Sequence, residues 1–429
     1  RFESYHWGTF ESLIVGDERG GVGNPSYRSS APSMKKTLKL ISFWFLIPIL
    51  ALAVTAFSLT LVVRYPNPVA AYQLAQSVPS EQPELMPTHV IPASVLPHEW
   101  EVASEPETLP ETFEFEGESY VVEDLLRATA TKAFLIIRDG VITYEQYSED
   151  FSQNELINTM SIGKTMVGMA IGNLIADGLI REQEPVTTYL PQYASIDGLD
   201  QVTIKHLLDM QSCIGIDEDY PSGPTGWGYP VAQMFATTDM DFVLSNNLKV
   251  VCDPGTEEYE YRSVNTQLLG MVVTQVSGMS LSNYFGSSVW ERVGAANDAS
   301  WAVDREGGWE KSFCCFNVTA RDLALVGGVF LNDGRAAFGP QAGSRVISED
   351  WHARMTTPAK VWFGGFGSER FGANMWHRPD GSYLTQGYRG QFMLMNPETN
   401  TIIVKLSDDV ENNYYDQVLT LLDQISAQQ

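Results

Sequence analysis

The chain has 429 residues, of which 44% are hydrophobic, enough for a two-lobed core or for one domain with extensions. Its formal net charge of −26 argues against a nucleic-acid partner, because phosphates require a basic face. Its four cysteines (Cys213, Cys252, Cys314 and Cys315) form no CxxC pair, and no HExxH occurs, so no metal site and no cofactor is expected. Cys213 and Cys252 can bridge if the domain meets an oxidising compartment, whereas adjacent Cys314 and Cys315 are hard to join without strain.

Residues 40–63, "LISFWFLIPILALAVTAFSLTLVV", are 24 uncharged positions, and about 20 span a bilayer. Lys35, Lys36 and Lys39 precede them, which places that side in the cytoplasm. The apolar run exceeds the roughly 7–15 residues of a cleaved signal peptide, so a retained signal anchor is expected. The rest would then face the periplasmic side of a bacterial inner membrane. "MKKTLKL" at Met34 reads as a natural start, and residues 1–39 as an N-terminal tail with no fold. Residues 64–112 hold nine prolines and read as a linker. Its later part, around "LPHEWE", is placed to pack on the domain.

The globular domain is expected over 113–429. "KAFLIIRDGVITYEQY" (132–147) reads as a hairpin turning at Asp139-Gly140. A buried apolar helix follows in "MSIGKTMVGMAIGNLIADGLI" (160–180). Apolar spacing predicts further helices over 202–215, 265–278 and 319–334, the last capped by Thr319. "GQFMLMNPETNTIIVKLSD" (390–408) reads as two strands about an Asn-Pro turn, and 414–425 as an amphipathic helix. Strands at both ends and helices between predict an α/β fold of α+β type: an antiparallel sheet built from both termini, flanked by helices, with an inserted helical lobe. A groove between the lobes is the natural place for a site.

Two common kinds of machinery are missing from the sequence. No G-x-S-x-G elbow and no phosphate-binding G-x-x-x-x-G-K-[ST] occurs. His206, in "IKHLL", reads as a packed or capping histidine. What remains is Ser161-x-x-Lys164. Positions three apart share a helix face, so Lys164 can reach the Ser161 hydroxyl. A buried lysine loses basicity and can then accept that proton. The Ser161 N–H, at a helix start, can face an oxyanion. The pattern alone also fits a plain N-cap at Ser161 and a snorkelling Lys164, and a second SxxK lies at Ser33.

Tyr261-x-Ser263 supplies a second element in "DPGTEEYEYRSVNTQLLGMVVTQVSGMSL" (253–281). Along its length this segment resembles the tyrosine segment of the serine β-lactamase-like hydrolases: class C β-lactamases, related esterases, D-alanyl carboxypeptidases and 6-aminohexanoate-dimer hydrolases. "RDGVITYEQY", "SIGKTM" and "IREQEPVTTYLPQY" fit the same family in the same order. "SVWERVGAANDASWAVDREG" and "NVTARDLALVGGVFLNDG" are most similar to the 6-aminohexanoate-dimer hydrolase branch. The resemblance covers about residues 115–428.

The resemblance implies an acyl-enzyme on Ser161, with Lys164 and Tyr261 as the proton-handling pair and the lysine charge lowering the tyrosine pKa. Ser263 stands where the family has asparagine. "GYRGQ" (387–391) is the best match to the family's Lys-Thr-Gly strand. There Tyr388 replaces the cation, Arg389 follows, Gly390 keeps the small residue, and the Gln391 N–H would be the second oxyanion donor beside Ser161. Tyr220, in "IDEDYPSG", matches a tyrosine that contacts the leaving amine. Tyr220, Ser263, Tyr388, Arg389 and Gly390 are thus implied substrate-binding positions. The expected activity is hydrolysis of small esters or amides. A β-lactamase or D-alanyl peptidase, and a non-catalytic cell-wall-binding protein, are the alternatives.

Overall fold

Thr131–Arg138 is buried on both faces, and its alternate side chains enter two different cores. Ala133, Leu135 and Ile137 join the larger one; Phe134 and Ile136 join the smaller. The computed structural model to which this strand belongs describes residues 45–216, 218, 230–256, 259–358, 370–409 and 414–428. The chain divides into two units, residues 1–55 and 56–429.

Within the second unit an eight-stranded sheet runs Arg370–Gly372, Met375–His377, Tyr383–Gly387, Gln391–Asn396, Thr401–Ser407, Thr131–Arg138, Val141–Tyr147 and Glu101–Val102. All described pairs are antiparallel except the last. The sheet is built from both ends of the domain, as the sequence predicts. Helices Val122–Ala128 and Tyr415–Ser426 cover one face, over the smaller core. Helices Gly163–Ala176 and Ala320–Leu331 lie on the other. The helices from Gly163 to Val293 follow one another between Ile157–Asn158 and Ala299–Ala302, an inserted helical stretch. The predicted hairpin turns at Asp139 (φ 49°) and Gly140 (φ 85°), two successive left-handed residues of the kind that match strand twist.

A second sheet of four short strands runs Thr88–Ile91, Ala299–Ala302, Phe316–Val318 and Ile157–Asn158. Its last strand delivers the chain to Ser161.

Two sequence expectations change. The helix expected over 202–215 is only Ile204–Leu208, because Met210 (φ 55°) and Cys213 (φ 58°) turn the chain left-handed. His206 does cap it: Thr203 Oγ1 accepts the His206 N–H, and the Thr203 N–H donates back to the ring. Residues 64–112, read as a linker, carry helix Pro68–Gln76 and two of the strands above, and bury Leu74, Gln82, Met86 and Ile91. The prolines are compatible with this because they sit at helix starts or outside the strands, where no ladder donor is needed. Of the apolar run, the described part is helix Ile47–Val62, 16 residues with none buried. No helix among the described residues is long and apolar enough to cross a membrane, and residues 40–44 lie outside them.

The cysteines are paired as Cys213–Cys252 and Cys314–Cys315. The second pair joins the neighbours whose bridge was expected to be hard to make.

Candidate active site

Asn158 begins the site. Its Oδ1 accepts the Met160 N–H at 2.9 Å, while Thr159 donates through N–H and Oγ1 to the Phe316 carbonyl at 2.9 and 2.8 Å. Met160 is thereby held at φ 51°, a left-handed conformation that an L residue keeps only when its surroundings impose it. The chain then enters the short 3₁₀ turn Met160–Ile162 and the helix Gly163–Ala176. Ser161 makes no capping hydrogen bond, so the plain N-cap reading fails. It is the partly exposed residue of a turn whose neighbours Met160 and Ile162 are buried. Its N–H belongs to the first turn, where helix donors have no partner within the helix.

Lys164, one turn on, is 2% exposed. Its Nζ donates to Ser161 Oγ at 2.9 Å, Ser263 Oγ at 3.1 Å and the Phe313 carbonyl at 2.8 Å. It also sits 4.9 Å from the centre of the Tyr261 ring. Burial pulls this ammonium from the usual 10.5 down to about 8, against the opposing pull of the Glu218 charge.

Tyr261 precedes the helix Ser263–Ser277, stacks on Trp376 at 5.9 Å and meets Phe371 edge-on at 6.0 Å. Burial pushes its phenol far above the ordinary range; a side-chain hydrogen bond with Ser161 opposes this, and the Glu218 charge adds to it. This reverses the expectation that the lysine would lower the tyrosine pKa: desolvation dominates. Ser161 Oγ is therefore contacted by both partners, one a weakened base and the other a phenol that stays protonated.

Ser263, where the family has asparagine, is buried and links two charges. Its Oγ accepts from Lys164 and donates to Glu218 at 3.1 Å, and its N–H donates to the same carboxylate. Glu218 was not among the residues singled out from the sequence. The acidic run at 217–219, immediately before Tyr220, is the only local signal for it. Tyr220 lies outside the described residues.

"GYRGQ" closes a hairpin. Gly387 ends one strand, residues 388–390 form the turn, and Gln391, paired with Gly387, begins the next. Both strands pack on the Met160–Ile162 turn. A Cβ on Gly387 would lie 2.3 Å from the Thr159 carbonyl, so only glycine permits this approach. Gln391 is fully buried, and its side chain ties the turn to the next strand: Nε2 donates to the Arg389 and Ser407 carbonyls at 3.0 and 2.6 Å, and Oε1 accepts the Ser407 N–H at 3.2 Å. Tyr388 is 51% exposed. Arg389 (φ 62°) donates to the Ser77 carbonyl at 2.8 Å, and Gly390 follows at φ 83°. The fold thus gathers Ser161, Lys164, Tyr261 and Ser263 at one point and sets the 387–391 hairpin against the loop that carries Ser161. A hydroxyl between a lysine and a tyrosine, below helix-start N–H groups, can do acyl-transfer chemistry.

The family model described as Beta-lactamase matches residues 121–428. A 6-aminohexanoate-dimer hydrolase of Paenarthrobacter ureafaciens is 31% identical over 309 residues, covering 67% of this chain and 74% of that protein. Among solved structures, a putative 6-aminohexanoate-dimer hydrolase from Bacillus anthracis matches with a TM-score of 0.70 at 19% identity, over 84% of this chain and 94% of that one. A family VIII carboxylesterase matches with a TM-score of 0.54 at 19% identity, over 70% and 95%. The chain belongs to the beta-lactamase family and is related to the 6-aminohexanoate-dimer hydrolases.

Proposed function

We propose that the protein is a serine hydrolase that forms an acyl-enzyme on Ser161 and cleaves small esters or amides of the 6-aminohexanoate-dimer-hydrolase or carboxylesterase type. The observation that carries this reading is the 2.9 Å contact between Lys164 Nζ and Ser161 Oγ, made by a lysine that burial brings down to about 8. Near neutrality a useful fraction of Lys164 is the free amine. It takes the Ser161 proton as Oγ attacks the acyl carbonyl. The oxyanion is received by the N–H groups of Ser161 and Gln391. Tyr261, protonated, gives its proton to the departing alkoxide or amine as the acyl–leaving-group bond breaks, and the Lys164 ammonium restores it. A water then attacks the ester on Ser161, giving a proton back through the same pair and freeing the acid.

The test is labelling by a fluorophosphonate probe together with turnover of a p-nitrophenyl acyl ester. Wild-type protein should show both, and Ser161→Ala should lose both; activity that survives the substitution sinks the assignment. Rapid nitrocefin turnover would move the substrate class to β-lactams. As to location, we propose that the apolar run 40–63, preceded by Lys35, Lys36 and Lys39, holds the domain at the outer face of a bacterial inner membrane. Recovery of the full-length chain in the soluble fraction of lysed cells would refute this.

A further inference from the structure

The segment 77–82, outside the motifs that carry the resemblance, touches three parts of the site at once. The Pro79 carbonyl accepts the Asn158 N–H at 3.1 Å, and Gln82 Oε1 accepts Asn158 Nδ2 at 2.8 Å. Gln82 is 3% exposed and Asn158 is fully buried, so this amide pair has no water to replace it. With its Nδ2 engaged by Gln82, the Asn158 amide is oriented so that Oδ1 faces the Met160 N–H. That contact sets the left-handed Met160 immediately before the nucleophile.

At the other end of the segment, the Ser77 carbonyl accepts Arg389 Nη1 at 2.8 Å, in the turn just before Gln391. Between them, Ser80 donates through N–H and Oγ to Asp408 at 2.9 and 2.8 Å. Asp408 follows Ser407, the residue that the Gln391 side chain grips from both ends. One short stretch therefore bridges the loop that aims the Ser161 N–H and the hairpin that aims the Gln391 N–H.

We infer that residues 77–82, through Gln82 and Ser77, are positioning residues that keep the two oxyanion donors in register. The inference rests on the acyl-enzyme reading above. It also assigns Arg389 a structural partner: its guanidinium holds the strap rather than a substrate anion. Two donors must meet one oxygen, and small misplacement of such groups is costly to rate while leaving ground-state binding largely intact. The loss should therefore fall on kcat and on the probe-labelling rate, with KM little changed.

The experiment compares the full chain with Gln82→Met, Gln82→Glu, Arg389→Met and His89→Ala. Gln82→Met keeps length and removes the acceptor; it should slow labelling and kcat by about 10- to 100-fold. Gln82→Glu keeps an oxygen for the Asn158 amide and should recover much of that loss. Arg389→Met should slow labelling from the hairpin side, and it decides the matter if Gln82→Met melts below the assay temperature. His89 anchors the strap elsewhere, on Glu310 at 2.8 Å; His89→Ala should lower the melting temperature and leave the labelling rate unchanged. A normally melting Gln82→Met with wild-type labelling overturns the inference, as does a His89→Ala variant slowed to the same degree. Wild-type protein that takes no label refutes the acyl-enzyme reading itself, and this inference with it.

Discussion

Replacing Glu218 by glutamine should move the pH profile of acylation toward acid. In the wild type the active form of Lys164 is the free amine, so acylation should rise with pH and level off above about 8. The Glu218 carboxylate favours the ammonium. The two groups share the Ser263 hydroxyl, 3.1 Å from each, so their charges lie within about 6 Å. At an effective dielectric of ~20 such a pair is worth roughly 2–3 kcal/mol, and 1.36 kcal/mol corresponds to one pH unit. Removing the charge should therefore lower the midpoint by about one to two pH units. At pH 7 the free-amine fraction would rise from about a tenth to a half or more, while the plateau rate falls because the amide keeps only one of the two oxygens that accept from Ser263. The assay is single-turnover acylation, by probe labelling or by the p-nitrophenol burst, across roughly pH 5–10. A midpoint that stays in place or moves alkaline would refute the assignment of Lys164 as base and of Glu218 as the charge that restrains it.

Tyr261→Phe keeps the ring against Trp376 and Phe371 and removes only the hydroxyl; kcat should fall by about 10²–10⁴ with stability nearly unchanged, read by ester turnover and thermal melting. Gly387→Ala forces a methyl toward the Thr159 carbonyl, 2.3 Å from the ideal Cβ position; a loss of about 1–3 kcal/mol of stability and a still larger proportional loss of kcat are expected, from denaturant melts and initial rates. Cys252→Ser opens a bridge across 39 positions; unfolding by urea should show a loss of about 3–4 kcal/mol if the denatured state gains the corresponding loop entropy.

Where the sequence is legible, the reason is periodicity or punctuation. Thr131–Arg138 and Val141–Tyr147 are evident because β-rich runs flank Asp-Gly. Ser263–Ser277 ends where it should, at Gly278 with φ 70°. Spacing puts Ser161 and Lys164 within reach of each other, and the Tyr261 segment is what sets this pattern apart from a plain N-cap with a snorkelling lysine. The strap at 64–112 is hidden because its order comes from long-range partners. Asn158 and Asp408 hold it from 76 and 328 residues away, and its prolines give the composition of a tether. The early end of the 204–208 helix is hidden too, since apolar spacing continues past Leu208 while Met210 turns left-handed. Glu218 is a third case: nothing in an acidic loop indicates that one carboxylate reaches Ser263, 45 positions on.

The departures from the family pattern fit together around charge. In relatives with Lys-Thr-Gly, the strand lysine offers a cation to an anionic substrate; here that place holds Tyr388, half-exposed and with no ammonium to offer. The guanidinium beside it is committed to the Ser77 carbonyl. Arg262, next to Tyr261, pairs with Glu260 at 2.9 Å and donates to the Ile216 carbonyl. Lys164 is buried and drawn toward the neutral form. Glu218 adds a negative charge within hydrogen-bonding distance of Ser263, on a chain whose formal charge is −26. A substrate carboxylate would approach this nucleophile against the prevailing field, with these nearby cations already engaged or neutralised. An uncharged ester or amide, or one carrying an amine, meets no such cost. The same substitutions that weaken the case for β-lactams therefore favour, among the small esters and amides proposed above, those that carry no carboxylate.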